Sequence, residues 1–437
     1  MNLNKFIEII DGILINIPSN FNYNISIDTR TINKNDIFIP ISFKDGNGNK
    51  YIKEAVLKGA NTVLIPKDYL ESTNILYEIL TINNDIGIIE IDNGLEVLKR
   101  LAFNKRDNFK GVVIGITGSV GKTSTKELLA QVLSKKYKVF KTEKNYNNIL
   151  GLSLMLLKLE DEEYAVFEMG MNRLGEISEM SKILKPHIGL ITNIGTAHIG
   201  NLLSKENILK AKLEIIDGFN DEGILFINEE DEYLNKIDYH NVYRYNTIDN
   251  EVYNGTIKVN IESEEVNLEL NGKHNIYNIS SIYVISKYLG IEDSLIIEAI
   301  KEYKDIRMNE IYIKDTLIID DSYNASLESM INGIKYINLT NYDNKVLVLG
   351  DMLELGLEEI EIHKDLGKYI RNTSINKVYT YGDISRYIGY TCNKISYHFN
   401  DKDKLAMALK EELLDNTVIY IKGSHNMNLS KLVDMIK

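Results

Sequence analysis

One cysteine, Cys392, in 437 residues leaves no partner for a disulfide and no thiolate set for a metal. There are only four prolines, and no stretch rich in proline or glycine announces a linker between domains. Basic residues are outnumbered, 50 against 63 acidic ones, and the net charge of −13 argues against nucleic acid as a bulk partner. A polyanionic ligand must therefore be held by local cradles. No apolar run nears the roughly 20 residues of a membrane span. The stretch 1–16, cut by Glu8 and Asp11, makes a poor signal peptide. These absences describe a soluble, cytoplasmic protein. Tryptophan is missing too, which carries no functional inference, and neither a fixed-period repeat nor a low-complexity tract occurs.

The length implies about three domains, each with apolar content enough for a core. Residues 1–108 alternate short segments, with strands expected over 25–27, 37–41, 62–65 and 86–91 and helices over 51–58 and 95–104. From Gly111 a strand–helix alternation signals a mostly parallel α/β sheet. Its strands are expected over 112–116, 165–167, 188–191 and 223–227, and its helices over 126–135, 150–157, 174–184 and 205–219. A β-hairpin is expected over 258–270 and a helix over 275–289. A second doubly wound alternation begins near Ile311, with strands over 316–319, 345–349, 377–380 and 418–421. The boundary before it falls near 303–309.

The most specific stretch is TGSVGKTST, Thr117 to Thr125, between an apolar strand and a helix. Gly118 and Gly121 let the backbone turn with φ > 0, so that N–H groups of Ser119, Val120 and their neighbours can point at one anion. The helix N-terminus adds partial positive charge. Lys122 would reach the β- and γ-phosphates of a nucleotide, and the Thr123 hydroxyl would sit on Mg²⁺. The usual P-loop spacing is not met, because Ile116 stands where the first glycine belongs.

Ligands on such sheets bind beyond the carboxyl ends of the strands, which collects Glu168, Asn193 and His198 near this loop. Glu168 is either a hard-cation ligand or a salt-bridged helix cap. His198 is either a ligand or a packed histidine, and Lys212 on an amphipathic helix reads most simply as a solvated face. His274 and Asn275 open a helix, as a cap or as the lining of a base pocket. Asp320 and Asp321 end a strand, with ribose, metal or structural roles open and Ser326 a candidate cap. Asp28, Thr29 and Arg30 form a polar triplet, read equally as an internal ion pair or an anion site.

In order along nearly the whole chain, TGSVGKTSTKE, NYNNILG, FEMGMNRLGEI, TNIGTAHIG, AKLE, GKHN and Arg307 resemble the signature stretches of the Mur ligase family. Its members are ATP-dependent, amide-forming enzymes of peptidoglycan precursor synthesis, and the shortened loop is this family's form. DDSYNAS, VLGDMLELG and KGSHNM are similar to the member that adds D-alanyl-D-alanine to UDP-N-acetylmuramoyl-tripeptide. The DNPR-type string of the sister that adds the third residue is absent. Departures from the pattern stand at Asn47-Gly48-Asn49, Ser326-Leu327 and Ser424-His425. The alternatives are another Mur-type ligase, a folylpolyglutamate synthase-like enzyme, or a nucleotide-dependent switch.

The resemblance implies a monomer of three α/β domains. Residues 1–108 form a small domain for the UDP-precursor, 109–308 a central P-loop domain with a mostly parallel sheet and flanking helices, and 309–437 a Rossmann-like domain for the dipeptide. It implies ATP held by Thr117 to Thr123, with Asn275 on adenine and Arg307 and Asp321 on ribose. Mg²⁺ would be held by Thr123 and Glu168, and a second ion by His198 and a carbamylated Lys212. Catalysis would rest on Lys122, Lys212 and His198. Substrate contacts would come from Asp28, Thr29, Arg30, Asn145, Asn147, Asn148, Tyr323, Asn324 and Ser424.

Overall fold

Apolar runs buried on both faces become parallel strands, and they set the architecture. The computed structural model describes residues 1–43, 46–253, 256–261, 264–268, 274–303 and 308–437. The chain divides into two compact units, Met1–Lys110 with Glu143–Asp161, and Gly111–Thr142 with Glu162–Lys437.

The first unit is built on a five-stranded sheet in the order Ile13–Asn16, Gly87–Ile91, Thr62–Pro66, Ile37–Phe38 and Ile25–Ser26. The first pair is antiparallel and the others are parallel. The expected strands over 25–27 and 37–41 shorten to two residues each. The helix Leu3–Ile10 was not expected; Asn2 caps it, and its helical spacing buries Phe6 and Ile10. Helix Gly94–Asn108 packs against Ile149–Leu157, which brings Leu150, Leu154 and Leu157 onto the core of Leu98 and Leu101.

The second unit carries two six-stranded sheets. The central one runs Val242–Tyr245, Ile224–Asn228, Ile188–Ile191, Val112–Thr117, Tyr164–Glu168 and Val139–Lys141, parallel throughout. Val112–Thr117 sits in its middle, and its residues 113–117 are all buried. The other runs Asn309–Ile313, Thr316–Asp320, Thr417–Lys422, Asn344–Gly350, Lys377–Tyr381 and Ile395–Phe399. Only its first pair is antiparallel. The hairpin expected over 258–270 is part of a three-stranded antiparallel sheet of Asn250–Tyr253, Thr256–Ile261 and Glu264–Leu268. This is the mixed α/β class that the sequence implied.

Three helices differ from expectation for local reasons. The helix after the phosphate loop starts at Lys122, not 126, because Gly121 at φ 88° makes the turn directly into it. The helix expected over 174–184 starts at Glu176, where the Glu214 carboxylate accepts the N–H groups of Gly175 and Ser178. The helix expected over 205–219 stops at Leu213 and continues as a 3₁₀ turn, Glu214–Gly218, where the Ser181 hydroxyl donates to the Ile215 carbonyl. Among the described residues no helix is long and apolar enough to cross a membrane.

Candidate active site

Strand register assembles the site. Ile116 pairs with Glu168 and Thr117 with Ile191, so three neighbouring strands deliver the phosphate loop, Glu168 and the 192–198 segment to one sheet edge. The loop is tied down from that segment. Ser119 N–H donates to the Asn193 carbonyl at 3.1 Å and Val120 N–H to Asn193 Oδ1 at 3.0 Å. Asn193 Nδ2 and Thr192 Oγ1 return bonds to the Val120 carbonyl at 2.9 and 2.6 Å. Two glycines are required. A Cβ on Gly118 would lie 1.8 Å from Thr192 Oγ1, and one on Gly121 would lie 2.5 Å from Asn278 Oδ1. Both also have positive φ.

Lys122 folds back on the loop, with Nζ 2.8 Å from the Gly118 carbonyl and 3.5 Å from that of Ser119. Thr123 Oγ1 donates to Glu168 Oε2 at 2.8 Å, and Glu168 is 3% exposed. A hydroxyl and one carboxylate beside a phosphate cradle suit Mg²⁺, which fills its octahedron with phosphate oxygens and water. Among the described residues no group of three or more His, Cys, Asp or Glu side chains is placed to hold a metal ion.

Lys212 overturns the solvated-face reading. It is 1% exposed, and burial, with the Lys122 charge second, pushes its amine well below the usual lysine range. Among the described residues no carboxylate pairs with it. Asn275 is also buried, one turn before Asn278 on the helix His274–Tyr288 that backs Gly121. His198 adopts φ 65° and places Nδ1 2.5 Å from Glu354 Oε2, which holds the Glu354 carboxyl below its usual range.

Beyond the C-terminal sheet, Asp321 Oδ2 accepts from Lys422 Nζ at 2.7 Å and from the Tyr420 hydroxyl at 2.6 Å, all three buried. Ser424 Oγ accepts the Leu353 N–H, and Tyr323 meets His425 edge-on at 5.7 Å. Asn324 is exposed and bonds its own turn. Arg307 lies outside the described residues, as do Gly272 and Lys273. In the first unit Arg30 chelates Asp28, and Thr29 bonds Glu54. Asn148 caps the helix Ile149–Leu157, and Asn145 and Asn147 share the turn before it.

Sequence reasoning missed Thr192, Asn278, Glu354 and Glu328, whose carboxylate accepts the Thr196 N–H. Asn278 had a signal, the i, i+3 spacing from Asn275 that puts both on one helix face. The others are defined by partners far along the chain.

Comparison with known proteins identifies the family. The Mur ligase middle domain matches residues 116–285, and the Mur ligase, glutamate ligase domain matches residues 306–425. A UDP-N-acetylmuramoyl-tripeptide–D-alanyl-D-alanine ligase of Rickettsia prowazekii is 33% identical over 98% of both chains. The chain belongs to the Mur ligase family. Within it, several relatives carry that same ligase name. The enzyme of the same name from Bacillus subtilis is 32% identical over 95% of this chain and 93% of its own. The crystal structure of MurF from Acinetobacter baumannii superposes with a TM-score of 0.89 at 25% identity, covering 99% of this chain and 98% of its own. MurF of Thermotoga maritima in complex with ADP gives 0.81 at 27% identity over 94% and 96%.

Proposed function

We propose that this chain ligates D-alanyl-D-alanine to UDP-N-acetylmuramoyl-tripeptide at the expense of ATP, in the cytoplasmic synthesis of peptidoglycan precursor for the cell wall. The observation that carries the reading is its near-full-length similarity to ligases of that name. The phosphate loop, the Thr123–Glu168 pair and the buried Lys212 supply the chemistry that such a reaction needs. Residues 109–308 take ATP, 1–108 the UDP end of the acceptor, and 309–437 the dipeptide.

The acceptor carboxylate attacks the γ-phosphorus, the bond to the bridging oxygen breaks, and ADP leaves an acyl phosphate. The dipeptide amine then attacks the acyl carbon, and the C–O bond to phosphate breaks as the amide forms. The difficulty in the first step is the approach of two anions. Lys122 leaves the Gly118 carbonyl to meet the γ-phosphate, and the β-phosphate takes the N–H groups of the first helical turn after Gly121, since those of Ser119 and Val120 are engaged by Asn193. Thr123 and Glu168 would hold Mg²⁺ and His198 would help with a second ion, and the metal would supply charge neutralisation of the phosphates. Lys212 is suited to carbamylation. As a neutral amine it adds CO₂, forming an N–C bond and losing a proton, and gains oxygens that a hard cation takes. Asn275 is assigned to adenine. Arg307 and Asp321 are assigned to ribose, and Asp28, Thr29, Arg30, Asn145, Asn147, Asn148, Tyr323, Asn324 and Ser424 to the other substrates.

Purified protein with ATP, Mg²⁺, UDP-N-acetylmuramoyl-tripeptide and D-alanyl-D-alanine should give a product heavier by the dipeptide less one water. Phosphate release should need both acceptor and amine. Release without either means a nucleotide switch, and ligation of a single amino acid in place of the dipeptide means a sister activity.

A further inference from the structure

Glu354 follows the C-terminal strand Asn344–Gly350, yet its carboxylate meets His198 beside the central sheet. Neither residue is glycine, and both hold φ 65°, a strained conformation for an L side chain that persists only where the surroundings impose it. Here they do. Gly200 N–H donates to the Glu354 carbonyl at 3.1 Å, and a Cβ on Gly200 would lie 2.3 Å from the Gly356 nitrogen. A second clamp stands alongside, where Glu328 accepts the Thr196 N–H at 2.8 Å and its hydroxyl at 2.9 Å. These contacts therefore hold the Glu354 main chain against the 195–200 segment, independently of the side chain's bond to the ring.

We propose that Glu354 is a positioning residue for His198: by accepting the Nδ1 proton it fixes the tautomer that leaves Nε2 as the lone-pair donor for a cation at the phosphate loop. Histidines that bind metals generally give their other N–H to a carboxylate or carbonyl, which sets the ring and raises its basicity. The unusual feature is where this carboxylate comes from. The central sheet supplies the histidine and the C-terminal sheet supplies its orienting partner. The second cation position is thus fully formed only while the 351–356 loop is packed on the 195–200 segment. This inference rests on the reading of His198 as a cation ligand.

The test titrates Mn²⁺ into the full-length protein with a non-hydrolysable ATP analogue and follows free Mn²⁺ by electron paramagnetic resonance. Glu354→Ala should weaken Mn²⁺ binding about tenfold or more, and lower kcat while KM for ATP stays within about twofold. Glu354→Gln retains an acceptor oxygen and should weaken binding less. The double variant His198→Ala/Glu354→Ala should bind no worse than His198→Ala alone, because Glu354 acts only through the ring. If His198→Ala weakens binding and Glu354→Ala does not, the positioning role is overturned and the metal reading stands. If His198→Ala leaves binding unchanged, the metal reading itself is wrong. A fall in Tm for both Glu354 variants with an unchanged Mn²⁺ midpoint marks a purely structural contact and also overturns the proposal.

Discussion

A lysine with almost no exposed surface and a depressed pKa makes a sharp demand of its replacements. Lys212→Ala should lose most ligation, and a small added carboxylic acid should restore part of it by returning an anion to the space. Lys212→Glu, short but of the right sign, should exceed Lys212→Arg, which keeps a cation there. An arginine variant with ordinary turnover would reduce Lys212 to a packing residue. Lys122→Ala should cost kcat/KM about 10²–10³-fold or more, since a preorganised charge aimed at the transferring phosphate is lost. Steady-state kinetics with all substrates checks both. His363 offers a pH test. It is buried, donates Nδ1–H to the Glu359 carbonyl and accepts the Met352 N–H at Nε2, so the fold holds it neutral and its pKa low. The unfolded chain binds that proton more readily. Stability from this group is therefore full above about pH 6.5 and is lost as pH falls through the folded value. Thermal unfolding of His363→Gln should lose less Tm between pH 7 and pH 5 than the parent; equal losses would dismiss the idea.

Among the elements, the 195–200 turn is the most constrained, and Gly200→Ala should show it. The added methyl needs room that the Gly356 backbone occupies, so a loss of about 1–3 kcal/mol in denaturant unfolding is expected, with ligation reduced. A fully active and stable variant would mean that the 354–356 backbone yields freely. What the sequence made legible follows from the same physics. Strands such as Val112–Thr117 and Ile188–Ile191 are buried on both faces and read as unbroken apolar runs. Val139–Lys141, Val242–Tyr245 and Ile395–Phe399 were missed because they are edge strands, half-buried in the first two and mostly exposed in the last, which leaves no unbroken apolar run. The phosphate loop was legible because its parts are contiguous. Glu354 was not, since its partner is 156 residues away and only the fold brings them together. Lys212 was misread from residue chemistry alone, because helical spacing does not say which face another element will cover.

At the scale of the molecule, the nucleotide cradle draws all its described parts from the second unit. Hydrogen exchange on adding ADP should therefore slow in peptides over 117–123 and 192–195, whose N–H groups face or brace the phosphates. Peptides over 149–157 should exchange as before. Protection confined to 149–157 would put the nucleotide elsewhere. The same division has a consequence for anyone wishing to take the protein apart. The backbone passes between the units three times, at 110–111, 142–143 and 161–162. A single proteolytic cut after Lys110 leaves both halves tethered through the returning segment. A fragment expressed to that point would lack the helix Ile149–Leu157, and with it the Leu150, Leu154 and Leu157 side chains that complete its apolar core. Such a fragment should be insoluble or bound by chaperones, and splicing 143–161 onto its end through a flexible joint should rescue it.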